Sequence, residues 1–177
     1  MKGKLLFEEE QSFTGTWLWN LSIIMLVGFV GLFGWGMYQQ LVQELPWGDH
    51  PMSDLGLIIT SISSITVMFG IVLFLSIQIL HMKVDEGSIQ VKFYPYTRSF
   101  RQITKNEIQQ AFVRSYHPIM EFGGWGYRAA FKKNMAYNIS GNRGLQLIFN
   151  NGKKLLIGTK KEAELKAAIS KFNEAND

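Results

Sequence analysis

The chain has 177 residues, 47 % of them hydrophobic and 18 % charged, and it contains no cysteine. The missing cysteines exclude a disulfide framework, a thiol nucleophile and a cysteine-ligated zinc or iron–sulfur site. Charge is unevenly placed: no Lys or Arg lies between Lys4 and Lys83, and residues 83–177 hold 16 of the 18 basic residues against eight acids. A single soluble domain does not divide its charge this way, so the pattern reads as a membrane anchor followed by a basic domain.

After a short N-terminal segment, residues 1–15, two stretches lack any formal charge: Trp17–Met37, of 21 residues, and Leu55–Leu80, of 26. Roughly 20 helical residues cross a hydrocarbon core about 30 Å thick, so residues 16–81 predict a two-span hairpin, with spans at 17–38 and 55–80. The first apolar run is longer than the core of a signal peptide and follows three acids, which favours a retained span. Trp17, Trp19, Trp35 and Tyr38 stand at its ends, where amphipathic rings meet headgroups. The connector 39–54 holds Pro46, Gly48, Pro51 and three acids, and basic residues flank the hairpin only outside it. By the positive-inside rule the connector faces out and both termini are cytoplasmic, in a cytoplasmic (inner) membrane. Gly28, Gly31 and Gly34 in the first span and Gly56, Thr60 and Ser64 in the second form small-residue stripes. Such stripes pack the hairpin against itself or dock another membrane subunit.

From residue 82 short alternating runs replace the long apolar ones. His81–Asp85 and Ser88–Tyr94 flank a tight Glu86-Gly87 turn, and Thr97–Ile103 follows as a strand. Thr104 and Glu107 have capping-box spacing. Glu107–Tyr116 reads as a bulged strand, with further strands at Tyr127–Phe131 and Ala136–Ser140. Leu145–Phe149 and Lys153–Gly158 surround Asn151-Gly152, a strong hairpin signal. Thr159 and Glu162 then open a helix with Leu165, Ala168, Ile169 and Phe172 on one face. The expected fold is a membrane α-helical hairpin plus a mainly-β domain at 82–177. That domain has about seven antiparallel strands in a barrel or sandwich capped by the C-terminal amphipathic helix, the order of a pleckstrin-homology-like (PH-like) fold.

Three segments carry a likeness: Tyr116-His-Pro-Ile-Met-Glu-Phe-Gly-Gly-Trp-Gly-Tyr-Arg128, Ala136-Tyr-Asn-Ile-Ser-Gly-Asn-Arg-Gly144 and Lys154-Leu-Leu-Ile-Gly-Thr159. Through them the chain resembles small bacterial integral membrane proteins with two N-terminal spans and a PH-like cytoplasmic domain. The resemblance implies a fold and a location rather than a reaction. A plastid photosystem assembly factor has a similar layout of two spans and a small domain, which by analogy implies an assembly role.

The most unusual segment is Phe122–Arg128, where Gly123, Gly124 and Gly126 surround Trp125. Glycines open backbone angles closed to other residues. Either an exposed Trp125 anchors a partner, with Arg128 beside it, or inserts at the membrane interface, or the loop folds the indole back over the domain. Arg143, expected to project at the tip of the hairpin turn Gly141–Gly144, is a second candidate for partner contact. Lys83, Lys132, Lys133, Lys153 and Lys154 are candidates for anionic headgroups. The Asp85–Ser88 turn is acidic and short, unlike the basic first hairpin turn of phosphoinositide-binding PH domains. No triad, carboxylate pair or metal spacing supports catalysis by His117 or Glu121, and no recognition element supports nucleic-acid binding. The reading is therefore a non-enzymatic interaction module without a cofactor, a scaffold, assembly or regulatory subunit whose partners are membrane lipid and another membrane-associated protein. Its rival is a module that senses anionic headgroups.

Overall fold

The computed structural model of the chain describes residues 4–131 and 134–174. It divides into two compact units, Thr14–Ser76 and the combination of Met1–Phe13 with Ile77–Asp177. The first contains two helices long and apolar enough to cross a membrane, α1 (Trp17–Met37) and α2 (Asp54–Ser76). Thr16 caps α1 by accepting from the Trp19 N–H, and a π-helical turn, Tyr38–Val42, extends it. Trp19 Nε1–H donates to Ser76 Oγ at 2.9 Å, tying the first turn of α1 to the last of α2. Ser61, Leu57, Met68 and Val72 form the buried face of α2. The glycine stripe is placed differently from one of its two expected uses. Gly28, Gly31 and Gly34 have open space where a side chain would be, whereas Gly36 is pressed by the Trp47 ring from the connector.

The second unit opens with a strand that the sequence reading treated as a tail. β1 (Leu5–Ser12) pairs antiparallel with β2 (Ile79–Asp85), from Leu5↔Asp85 to Ser12↔Ile79. The domain therefore begins before the spans, not at residue 82, and the helical hairpin is inserted between its first two strands. Alternation alone hides β1, because its inward positions are Phe7, Glu9 and Gln11, and two of those three are polar. The second span also ends earlier than expected, at Ser76 rather than Leu80, since Leu80, Met82 and Val84 alternate inward as a strand.

β3 (Ser88–Tyr94) and β4 (Arg101–Thr104) complete a four-stranded sheet in the order β1-β2-β3-β4. β4 starts later than the expected Thr97, because Thr97 closes a turn: its hydroxyl accepts from Phe93 N–H and its own N–H donates to Phe93 O. The Thr104–Glu107 capping box forms over a 3-10 turn, Lys105–Glu107. β5 (Ile108–Ser115) follows with its bulge between Ile108 and Gln110. The next elements are a short helix α3 (Pro118–Phe122), β6 (Gly126–Phe131), β7 (Asn134–Asn138), β8 (Arg143–Phe149) and β9 (Lys154–Gly158). They give a five-stranded sheet in the order β5-β8-β9-β7-β6, in which β7 and β9 run parallel. The strands thus form two separate sheets rather than a closed barrel, and they are not all antiparallel.

α4 (Glu162–Glu174) buries Leu165, Ala168, Ile169 and Phe172 as its spacing predicts, against β1, β2, β5 and β8. Leu80, Met82, Val84, Ile89, Val91, Phe93, Ile103, Leu145, Leu147, Leu155 and Ile157 supply the core between the sheets and this helix. Thr159 Oγ1 accepts from Lys161 N–H and donates to Glu9, so the helix start is held from β1 instead of by a Thr159–Glu162 box. Lys105 Nζ donates to the Phe172 and Asn173 carbonyls at the far end, where a cation suits the exposed C=O groups.

Candidate functional site

Between β5 and β8 the chain inserts α3, β6 and β7, the stretch that holds the unusual glycines. Pro118 at the first helical position and left-handed Gly123 (φ +71°) at the end make one closed helical turn. Gly123 N–H donates to Ile119 O and Gly124 N–H to Pro118 O, which satisfies the last carbonyls. At the start, His117 N–H donates to Glu121 Oε1 at 2.8 Å. This small helix turns Pro118 and Phe122 inward and leaves Ile119 66 % and Met120 86 % exposed.

Trp125 is half-buried, and its indole N–H donates to Gly141 O at 3.0 Å, so the loop folds back on the β7–β8 turn. Gly126 N–H donates to Asn138 Oδ1, and Asn138 Nδ2 donates to the Tyr116 hydroxyl. Arg128 is exposed, but its Nε–H donates to Trp125 O and its guanidinium lies against Gly124. Gly123, Gly124, Trp125, Gly126 and Arg128 are thus brought together as one hydrogen-bonded loop. Arg143 is not at the tip of its turn. It opens β8 and pairs with Glu162 of α4 at 3.3 Å, while Lys166 holds the Glu162 carboxyl below its usual range.

The insertion also builds a cleft of about 460 Å³ on the face of the five-stranded sheet opposite α4. Register places its floor in rows across the strands: Phe112, Gln146, Leu156 and Ala136 in one, Ile148, Lys154 and Asn134 in the next. Glu121 and Phe122 of α3 form a wall, and Phe122 packs on Tyr116, Ala136 and Leu156. Glycine keeps the adjoining row open: a Cβ at Gly144 would meet Ile157 O at 2.8 Å, and one at Gly158 would meet Asn138 at 3.0 Å and the Tyr116 hydroxyl at 3.4 Å. Arg114 makes a two-pronged pair with Glu121 (3.2 and 2.7 Å) and donates through Nε to Gln146 Oε1. The guanidinium holds the Glu121 carboxyl below its ordinary range. Arg114 and Glu121 therefore cancel, and among the described lining residues the cleft keeps the positive charge of the exposed Lys154, which has no partner among the described residues.

On the other side of the insertion Tyr96, Tyr127 and Tyr137 stack, with centroids 4.6 and 4.7 Å apart and near-parallel rings. Phe93 meets all three at 5.5–6.1 Å. Burial, then the neighbouring Tyr127 hydroxyl, pushes the Tyr137 pKa up to about 12. Among the remaining candidates, Lys83 pairs with Glu8 of β1 at 2.8 Å and lies over the Phe100 ring, and His81 Nε2 meets the same carboxylate at 2.7 Å. Those two partners hold the Glu8 carboxyl below its usual range. Lys153 is exposed in the β8–β9 turn, and Lys132 and Lys133 lie outside the described residues.

Comparison with protein-family models, curated proteins and solved structures finds no match. The cleft residues Phe112, Arg114, Gln146 and Ile148 are not legible in the sequence, since rows across the strands leave no local spacing, and Phe122 stands out there only as the start of the glycine-rich segment. Two signals were available for α3: the Pro118…Gly123 frame of a one-turn helix, and two adjacent apolar residues before an acid.

Proposed function

We propose that the chain is a non-enzymatic, membrane-anchored interaction module, a scaffold, assembly or regulatory subunit that holds a partner protein at the cytoplasmic face of a cytoplasmic membrane. The observation that carries this reading is the α3–β6–β7 insertion, which lifts Ile119 and Met120 into solvent beside a cleft. Exposed apolar residues next to a concave surface mark protein contacts more often than solvated decoration. The topology is supported by two independent features. Lys and Arg flank the hairpin only outside it. In addition, the β1–β2 ladder joins residues 5–12 to 79–85, so both flanks of the hairpin lie on one side of the bilayer.

With the insertion set aside, the remaining strands are a four-stranded antiparallel meander, the antiparallel β5-β8-β9 sheet and a C-terminal helix. That order supports a PH-like domain. On this reading the connection between its first two strands is the helical hairpin itself, residues 13–78. The loop that meets headgroups in phosphoinositide-binding relatives of that fold is thereby given over to the anchor. Of the headgroup candidates, Lys83 is engaged within the domain by Glu8, whereas Lys153 and Lys154 stay exposed and keep the headgroup reading as the rival.

The test is a mild-detergent pull-down of the tagged full chain from its own membranes, beside the doubly substituted Ile119→Asp, Met120→Asp chain. A stoichiometric partner retained by the wild type and lost from the folded variant is expected. Absence of any specific partner in repeated preparations overturns the module reading. Release of the wild-type partner by anionic lipid alone favours the headgroup alternative.

A further inference from the structure

We propose that the cleft between α3 and the β5-β8-β9-β7 face takes an extended peptide segment of the partner, one with bulky apolar side chains next to a carboxylate. This rests on the interaction-module reading and names what the module grips. The volume, about 460 Å³, lies in the range of ligand sites and holds one or two large side chains rather than a folded surface. Phe112, Ile148 and Phe122 line it with apolar carbon, and Phe112 is 40 % exposed on an otherwise polar strand face.

Charge selects the second element. Arg114 is already held by Glu121 on both prongs and by Gln146, and the buried Gln146 amide donates to Leu147 O and Leu155 O. The floor is therefore satisfied and asks nothing of a ligand. Lys154 sits beside Ile148 and Asn134 in the same row with its amine unpaired among the described residues. An apolar side chain seated between Phe112 and Ile148 would bring an adjacent carboxylate to Lys154. A basic segment would meet that amine with repulsion and gain nothing from the neutral Arg114–Glu121 pair.

The experiment uses the full chain in detergent and two fluorescein-labelled short-peptide libraries. Both carry paired Leu or Phe residues, flanked by Asp or Glu in one library and by Lys or Arg in the other. Fluorescence anisotropy should show saturable binding of the acidic library and little of the basic one. Lys154→Glu should weaken the acidic library by about tenfold or more, the loss of a desolvated charge pair, and transfer preference to the basic library. Ile148→Asp, with an unchanged melting profile, should lose both. Equal preference in wild type and Lys154→Glu overturns the proposal, as does no saturable binding of either library. Displacement of the acidic library by phosphatidylglycerol mixed micelles overturns it in favour of a lipid headgroup. A chain that keeps its partner in the pull-down yet binds neither library shows that the cleft assignment fails while the module reading stands.

Discussion

β1, the strand ahead of the helical hairpin, and α3, the helix of the insertion, invert the usual rule in opposite directions. β1 carries Glu9 and Gln11 inside, 4 % and 3 % exposed, whereas α3 carries Ile119 and Met120 outside, 66 % and 86 % exposed. The buried pair is spent on tethering. Glu9 accepts from Thr159 Oγ1 at 2.6 Å and Lys160 N–H at 2.8 Å, and Gln11 Nε2–H donates to Gly158 O at 2.8 Å. Those bonds tie the chain ahead of the spans to the β9–α4 junction near its other end. Among the described residues nothing comparable covers the apolar pair on α3. Gln11 Oε1 is left without a partner among the described residues, but the bonded groups specify one arrangement, whereas an exposed apolar group leaves free energy to be gained from something outside the chain.

The comparison breaks first at β1. Deleting residues 1–12 uncovers the edge of β2, strips the Glu9 and Gln11 tethers and removes Phe7 from the core. The expected result is loss of a cooperative fold in residues 77–177, read as rapid protease cleavage there while the helical hairpin persists. A domain that stays protease-resistant would demote β1 to an ornament. Next in size is Glu9→Ala, which leaves the Thr159 hydroxyl and Lys160 N–H without their acceptor inside the domain. It should cost about 3 kcal/mol in denaturant unfolding, the upper range for hydrogen bonds to a charged group.

Both regions also show what a sequence can and cannot display. The β2–β3 and β8–β9 hairpins, the bulge in β5 and the buried face of α4 were legible because alternation, Asn151-Gly152 and helical spacing are local signals. β1 was not, since Glu8-Glu9-Glu10 reads as a solvated charge run and nothing nearby reveals that Thr159 waits for the middle carboxylate. Parallel pairing of β7 with β9 is equally silent, because it depends on which edge an inserted hairpin reaches. The glycines around Trp125 were visible as special, but their use is local: left-handed angles at Gly123, Gly124 and Gly126 fold the indole onto Gly141.

A third test falls between the two regions, where glycine lets β8 and β9 approach closely. Gly144→Ala forces a Cβ to within 2.8 Å of Ile157 O, a backbone atom that cannot swing aside. A cost of about 2 kcal/mol is expected from such overpacking, with the β8–β9 pairing strained beside Leu156 of the cleft floor. The tyrosine stack gives a smaller effect at neutral pH, and it has a distinctive pH signature. Tyr137 has its folded pKa raised to about 12 from 10.0, so its contribution is complete below pH 10. It fades as pH rises from 10 through 12, where the unfolded chain releases the proton more readily. Tyr137→Phe should lower stability by less than about 1 kcal/mol at pH 7, given the long 3.5 Å contact to Tyr127, and flatten the alkaline decline. An unchanged decline would move the titration elsewhere.

The least disturbing substitution is the most informative about function. Met120 is 86 % exposed on a helix whose ends are fixed by Pro118, Gly123 and Glu121. Met120→Asp should therefore change stability by no more than about 0.5 kcal/mol, the ordinary range for surface positions. If Met120 waits for a partner, the same substitution should abolish retention in the pull-down, because a carboxylate buried against an apolar contact is costly. Large loss of stability without loss of binding at Glu9, and the reverse at Met120, is the pattern expected of one element that closes the domain and another that opens it to a partner. Should Met120→Asp destabilise the fold as Glu9→Ala does, α3 would belong to the core, and its exposure would say nothing about what the molecule binds.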